Sequence, residues 1–155
     1  MSIKFVSKAS LPITGIRVTG PYAESIPLGF DALSRWVERH AIDAKDWVAL
    51  YWDDPSQVAP QALRADVAVG FPAEAVLPED SAVTMVKQTI PGGLFAVYHT
   101  KVTKDNFSQA WEDFYTALAG SEYHPVKGAC FERYLDDGRS GTYEIEIYQS
   151  IAKND

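Results

Sequence analysis

Two carboxylates stand where chemistry would want them. Glu132 lies in the alternating run Ala129 to Leu135 (ACFERYL), directly after Phe131 and two positions before Tyr134. Glu146 lies in a second alternating run, Tyr143 to Ile151 (YEIEIYQSI). Side chains of a strand point alternately to its two faces, so Cys130, Glu132 and Tyr134 share one face. Glu144, Glu146 and Tyr148 share one face of the other run. If the two runs form a hairpin, Glu132 and Glu146 are expected to approach the same surface. An acid buried there costs several kcal/mol unless a hydrogen bond or a cation compensates it. Two chemistries follow. The acid can neutralise a bound cation, which aromatic rings also attract by about 0.5–2 kcal/mol per contact. Or burial can raise its pKa and make it a general acid or base, so that Glu132 and Glu146 are the catalytic candidates of an enzyme. The plainer alternative puts both acids on the solvent face of an antiparallel sheet.

The candidate pocket walls are Tyr51, Tyr98, Trp111, Phe114, Tyr134 and Tyr148. Trp36 and Trp111 sit on apolar helix faces and also read as core. Other chemistries lack their residues. No GxGxxG, P-loop, HExxH, CxxC or GxSxG motif occurs. His40, His99 and His124 are scattered without metal-ligand spacing, and the single cysteine, Cys130, has no sequence-adjacent histidine. No cofactor or metal is expected.

The elements that must position these residues come twice. Leu11 to Gly20 reads as a strand and about Pro27 to His40 as a helix, with Phe30, Leu33, Trp36 and Val37 on one face. Strands are expected at Trp47 to Trp52 and Leu63 to Phe71. The same order returns as a strand at Leu94 to Val102, a helix from about Asp105 to Ala119, and the two runs that carry the acids. Pro72 to Asp80 reads as the linker between repeats of about residues 10–72 and 83–152. In letters, VALYWDD (Val48 to Asp54) lies against FERYLDD (Phe131 to Asp137), and RADVAVG (Arg64 to Gly70) against TYEIEIY (Thr142 to Tyr148). That alignment sets Glu132 against Ala49, Glu146 against Ala68 and Asp66 against Glu144. The second repeat thus carries acids where the first carries methyl groups. A unit unable to cover its own apolar face packs on its twin. The predicted fold is one α+β domain over residues 1–155: two pseudo-symmetric β-α-β-β repeats, antiparallel sheets with two helices, and a central ligand groove.

Bulk composition narrows the classes. Fourteen basic and 21 acidic residues give a net charge of −7, with no basic cluster, which disfavours direct nucleic-acid binding. One cysteine and no apolar run of membrane-spanning length fit a cytoplasmic protein. The absence of heptads fits a monomer. The Asp53-Asp54 and Asp136-Asp137 pairs read as turn chemistry, with an acidic protein-interaction surface as the alternative.

The ordered set GIRVTGPY, GFDALSRWV, DWVALYWDDP, LRADVAV, IPGGLFAVYHT, FSQAWEDFY, CFERYL and YEIEIYQSI resembles the GyrI-like family across essentially the whole chain. This family of DNA gyrase inhibitory proteins shares its domain with ligand-binding modules of some AraC-type and MerR-type regulators. The resemblance implies a duplicated β-α-β-β fold and a buried glutamate that meets cationic, lipophilic molecules among tyrosines. That glutamate corresponds to Glu132, and the glutamate of the last strand to Glu146. It also implies gyrase as a partner and protection against toxins. Other members resemble hydrolases of cyclopropane-bearing compounds, which keeps an enzymatic alternative open.

Overall fold

Period-2 and period-3.6 patterns resolve into eight strands and two helices among the described residues. The computed structural model describes residues 3–155. The elements are β1 (Ile3–Lys8), β2 (Leu11–Thr19), α1 (Tyr22–Arg39), β3 (Lys45–Tyr51), β4 (Arg64–Gly70), β5 (Val86–Ile90), β6 (Gly93–Val102), α2 (Phe107–Ala119), β7 (Tyr123–Tyr134) and β8 (Tyr143–Lys153). A short 3-10 turn, Pro60–Ala62, precedes β4. The class is α+β, with every described strand pair antiparallel.

Two compact units divide the chain. One is Leu11–Ile90; the other joins residues 3–10 to Pro91–Asp155. In the first, strands run in the order β3-β4-β2-β5, and α1 packs on β2 and β4. In the second the order is β1-β6-β8-β7, and α2 packs on β6, β7 and β1. The outer strands β1 and β5 escape the sequence patterns because they are short and at least half polar without alternation, with Lys4, Ser7 and Lys8 in IKFVSK and Lys87, Gln88 and Thr89 in VKQTI. Each pairs away from its chain neighbour. β1 runs into β2 yet pairs with β6, and β5 runs into β6 yet pairs with β2.

Helix α1 begins five residues before the Pro27 expected from sequence. Proline inside a helix removes a hydrogen bond and crowds the preceding turn. Tertiary anchoring outweighs that here. Pro21 presets the entry with φ −54°, and its carbonyl accepts the N–H groups of Glu24 and Ser25. The Tyr22 hydroxyl donates to the carbonyls of Asp53 and Arg64, at 3.0 and 2.8 Å. Ile26 is buried. β7 likewise begins earlier than Ala129, because a bulge between Pro125 and Cys130 splits its ladder with β8 into two stretches.

Each core lies between helix and sheet. Leu33 and Trp36 of α1 are fully buried, as are Val67 and Val69 of β4. In the second unit Phe114 and Leu118 meet Ala96, Ile145, Ile147 and Ile151. Gly15, in β2 between β4 and β5, marks a close approach. A Cβ there would fall 2.1 Å from the Val67 carbonyl oxygen and 2.6 Å from the Ala68 Cβ. Alanine ordinarily improves a strand over glycine. At Gly15 overpacking reverses the sign, and Gly15→Ala is expected to lower unfolding free energy by about 1–3 kcal/mol in urea titrations.

The linker expected at Pro72 to Asp80 carries no regular element. Its last residue is tied to the end of α1. The Asp80 carboxylate accepts from Arg39 Nε at 2.9 Å, the backbone N–H of Ala82 at 2.8 Å, and pairs with His40 Nε2 at 2.8 Å. The His40 bond, then the Ala82 N–H and Arg39, hold its pKa below the ordinary carboxylate range. A carboxyl with a depressed folded-state pKa stabilises above its unfolded value of about 4 and loses that contribution as pH falls below it. Asp80→Asn is therefore expected to flatten the fall of thermal midpoint below about pH 4, measured by circular dichroism.

Candidate functional site

The alternation of β7 turns Glu132 under α2. Its residue is 1% exposed. Trp111 Nε1 donates to Glu132 Oε2 at 2.7 Å, and the Tyr134 hydroxyl donates to Oε1 at 2.7 Å. Cross-strand neighbours are apolar: Glu132 opposes Ile147, and Tyr134 opposes Ile145. Rings continue outward from there. Trp111 meets Phe114 edge-on at 6.1 Å, and Phe114 stacks on Tyr98 at 6.3 Å and 10°. Tyr134 packs edge-on against Tyr143 at 6.3 Å. One helical turn beyond Trp111, Tyr115 donates to Gln149 Oε1 at 2.7 Å and lies 3.6 Å from Cys130 Sγ. Hydrogen bonds to a charged group contribute about 1.5–3 kcal/mol each, enough to offset much of the burial cost.

Trp111, Phe114, Tyr98 and Tyr134 thus gather with Glu132 as candidate ligand contacts. Glu146 and Tyr148 do not. The ladder pairs Arg133 with Glu146 and Phe131 with Tyr148, so both face away from α2. The expectation that the two glutamates share a surface is corrected by that register. Glu146 instead accepts from Arg133 Nη1 at 3.0 Å and from the Tyr148 hydroxyl at 2.9 Å. Tyr148 stacks on Phe131 at 4.5 Å and 4°. Burial first, then the Glu146 carboxylate, pushes the Tyr148 phenol well above its ordinary pKa. Tyr51 belongs to the other unit, where its ring meets Tyr22 at 4.9 Å.

The ladders also revise the internal alignment. Leu50 pairs with Asp66 across β3 and β4, and Arg133 with Glu146 across β7 and β8. With Tyr51 held against Tyr134, Glu146 is the counterpart of Asp66, two residues from the sequence match to Ala68. One asymmetry survives. Ala49, opposite Val67, is buried where the second unit has Glu132 opposite Ile147.

Sequence reasoning missed what surrounds Asp66. This 3% exposed carboxylate accepts from Arg17 Nε at 2.5 Å, Trp52 Nε1 at 2.8 Å and Gln88 Nε2 at 2.7 Å. Burial pushes its pKa up, but the bonds from Arg17, Gln88 and Trp52 outweigh it and the net shift is downward. The charged Asp66 within the apolar run RADVAV was the available signal. Among the described residues, no three His, Cys, Asp or Glu side chains cluster to hold a metal. No helix among them is long and apolar enough to cross a membrane.

Residues 1–152 match the GyrI-like small molecule binding domain. The chain belongs to the GyrI-like family. A relative named DNA gyrase inhibitor from Yersinia enterocolitica serotype O:8 / biotype 1B is 46% identical over 156 residues, covering 99% of each chain. Another of that name, from Pectobacterium carotovorum subsp. carotovorum, is 43% identical over 152 residues and 97% of each. The GyrI-like fold recurs in the EcmrR C-terminal domain, with a TM-score of 0.74 at 13% identity and 98% coverage of both chains. It recurs also in SAV2435 bound to tetraphenylphosphonium, with a TM-score of 0.59 at 15% identity, covering 98% of this chain and 94% of that one. Within this GyrI-like site, Tyr134→Phe leaves the buried carboxylate one donor short. It is expected to cost about 1–3 kcal/mol in urea titrations, and to couple with Glu132→Gln by about 0.5–3 kcal/mol in a double-mutant cycle.

Proposed function

We propose that this protein binds small lipophilic cations at Glu132 and acts as a gyrase-inhibitor-like protein that protects its cell from toxins. The observation that carries the ligand reading is the Glu132 carboxylate, enclosed by Trp111 and Tyr134 with Phe114 and Tyr98 beyond. A negative charge among ring faces attracts a cation from two sources at once. The aromatic and aliphatic walls suit a lipophilic body, whose apolar area leaves water on entry. A hydrophilic ammonium ion gains the first term but not the second. The Trp111 and Tyr134 hydrogen bonds hold the carboxylate in place before any ligand arrives, so its ordering entropy is spent in folding.

The gyrase part rests on the relatives' name and on their near-complete coverage of this chain. It implies a cytoplasmic protein. Toxin protection follows from either activity, by sequestering a cationic toxin or by occupying the enzyme that the toxin attacks.

Calorimetry with tetraphenylphosphonium and with neutral triphenylphosphine oxide tests the ligand reading. Glu132→Gln is expected to weaken the cation by about tenfold or more and the neutral compound by less than about threefold. Equal losses for both compounds overturn it. Turnover of a strained electrophile that vanishes in Glu132→Gln would instead establish the hydrolase alternative.

A further inference from the structure

Rings on the α2 side of the second unit divide by what water reaches. Phe114 is 0% exposed and Tyr98 8%, so the wall behind Glu132 is closed by packing. Phe107, Trp111, Tyr134 and Tyr143 pack on the same core but remain half-buried. They form a row. Phe107 and Trp111 stand one turn apart on one face of α2, and Tyr134 and Tyr143 lie beneath on β7 and β8. The Phe107 ring meets Tyr143 at 5.6 Å, and Tyr143 meets Tyr134 at 6.3 Å. Tyr134 and Trp111 then hold the two oxygens of Glu132. An aromatic strip therefore runs from the buried carboxylate to the first residue of α2, where water still reaches it.

The two ends of the site differ in chemistry. Toward the C-terminus of α2, the Tyr115 hydroxyl bonds the 7% exposed Gln149, whose amide donates to the Ser150 carbonyl at 2.9 Å. That chain ties the helix to β8 with polar groups. Toward the N-terminus the contacts are ring on ring. Among the described residues nothing bonds the Tyr143 hydroxyl, so packing alone holds that ring. Gly138 of the β7–β8 turn rests against it, and a Cβ there would fall 2.3 Å from Tyr143 Cε1. An apolar group laid on this strip gains the area it removes from water, with ring–ring attraction in addition. The helix dipole sets direction. Its positive end lies at Phe107, which disfavours a cation there and leaves the charge to Glu132.

We propose that Phe107 and Tyr143 form a second subsite, which takes a flat aromatic arm of a cation whose charge sits at Glu132. The preferred ligand is thus an elongated aryl cation rather than a compact one, lying along α2 with its arm at the N-terminal end. The proposal rests on the lipophilic-cation reading of Glu132 and adds a shape requirement to it.

Calorimetry on the full chain with two phosphonium ions that share a head tests it: methyltriphenylphosphonium and (p-phenylbenzyl)triphenylphosphonium. The arm is expected to tighten wild-type binding about tenfold. Phe107→Ala and Tyr143→Leu are each expected to remove about threefold or more of that gain and to move the methyl compound less than about twofold. Tyr143→Phe keeps the ring and leaves both affinities unchanged. Glu132→Gln weakens both compounds and leaves the ratio between them. Phe107 is a half-buried residue at the end of a helix, so its variant remains decisive should Tyr143→Leu unfold. A gain that survives Phe107→Ala and Tyr143→Leu, with both compounds weakened by Glu132→Gln, overturns the subsite and leaves the cation reading standing. Equal loss of both compounds in those two variants, or no gain from the arm in the wild type, also overturns the subsite. A gain lost in Tyr115→Ala but kept in Phe107→Ala places the arm at the other end of α2 and overturns the proposal. Wild-type binding of neither compound, or Glu132→Gln without effect on either, overturns the cation reading and the subsite together.

Discussion

A carboxylate enclosed by hydrocarbon keeps its place only while donors reach both of its oxygens. In the second unit that condition links a helix to a sheet. Trp111 comes from α2, Tyr134 from β7, and the glutamate they share lies between them. Core packing of α2 by Phe114 and Leu118 sets the height of the helix above the strands. That height in turn brings the indole N–H within bonding distance. The apolar core and the polar site are thus one construction, and a change to either is felt by the other.

The first unit solves the same problem in another way. Asp66 lies on the sheet face away from α1, and a guanidinium sits among its donors. Its charge is largely matched in place by Arg17. Where Glu132 would stand under α1, the chain has Ala49, buried opposite Val67. Gly29 lets α1 approach that sheet closely, since a Cβ there would fall 2.7 Å from Val18 Cγ1 and 2.9 Å from Val67 Cγ2. Each scaffold buries an acid, Glu132 under α2 and Asp66 on the face away from α1.

Much of this was legible in the sequence, for physical reasons that differ by residue. The eight expected elements were marked by apolar periodicity and by turns at Gly20-Pro21, Asp53-Asp54-Pro55 and Pro91-Gly92-Gly93. Glu132 was marked by its aromatic flanks and by the methyl group at Ala49. What periodicity cannot report is register. A ladder slides by two residues without changing any face, so the match of Glu146 to Ala68 looked as good as the true one to Asp66. Nor does alternation within two strands say how they pair, which is why Glu146 was expected beside Glu132. Outer strands with one dry face and few apolar residues, such as IKFVSK, lie below any pattern threshold. The Asp66 cluster draws on four separate segments, and nothing local announces such a meeting.

The traded outer strands impose an order on assembly. The unit Leu11–Ile90 is contiguous and has all four of its strands once Ile90 has left the ribosome. The other unit needs a strand made long before the rest of it. Ile3 pairs with Tyr98, 95 positions later, a wait of about 5–20 s at about 5–20 residues per second. During that interval β1 must neither collapse nor pair elsewhere, and Lys4, Ser7 and Lys8 give it the solubility to wait. The polarity that hides β1 from pattern reading is what a nascent chain requires of a segment whose partner is not yet translated.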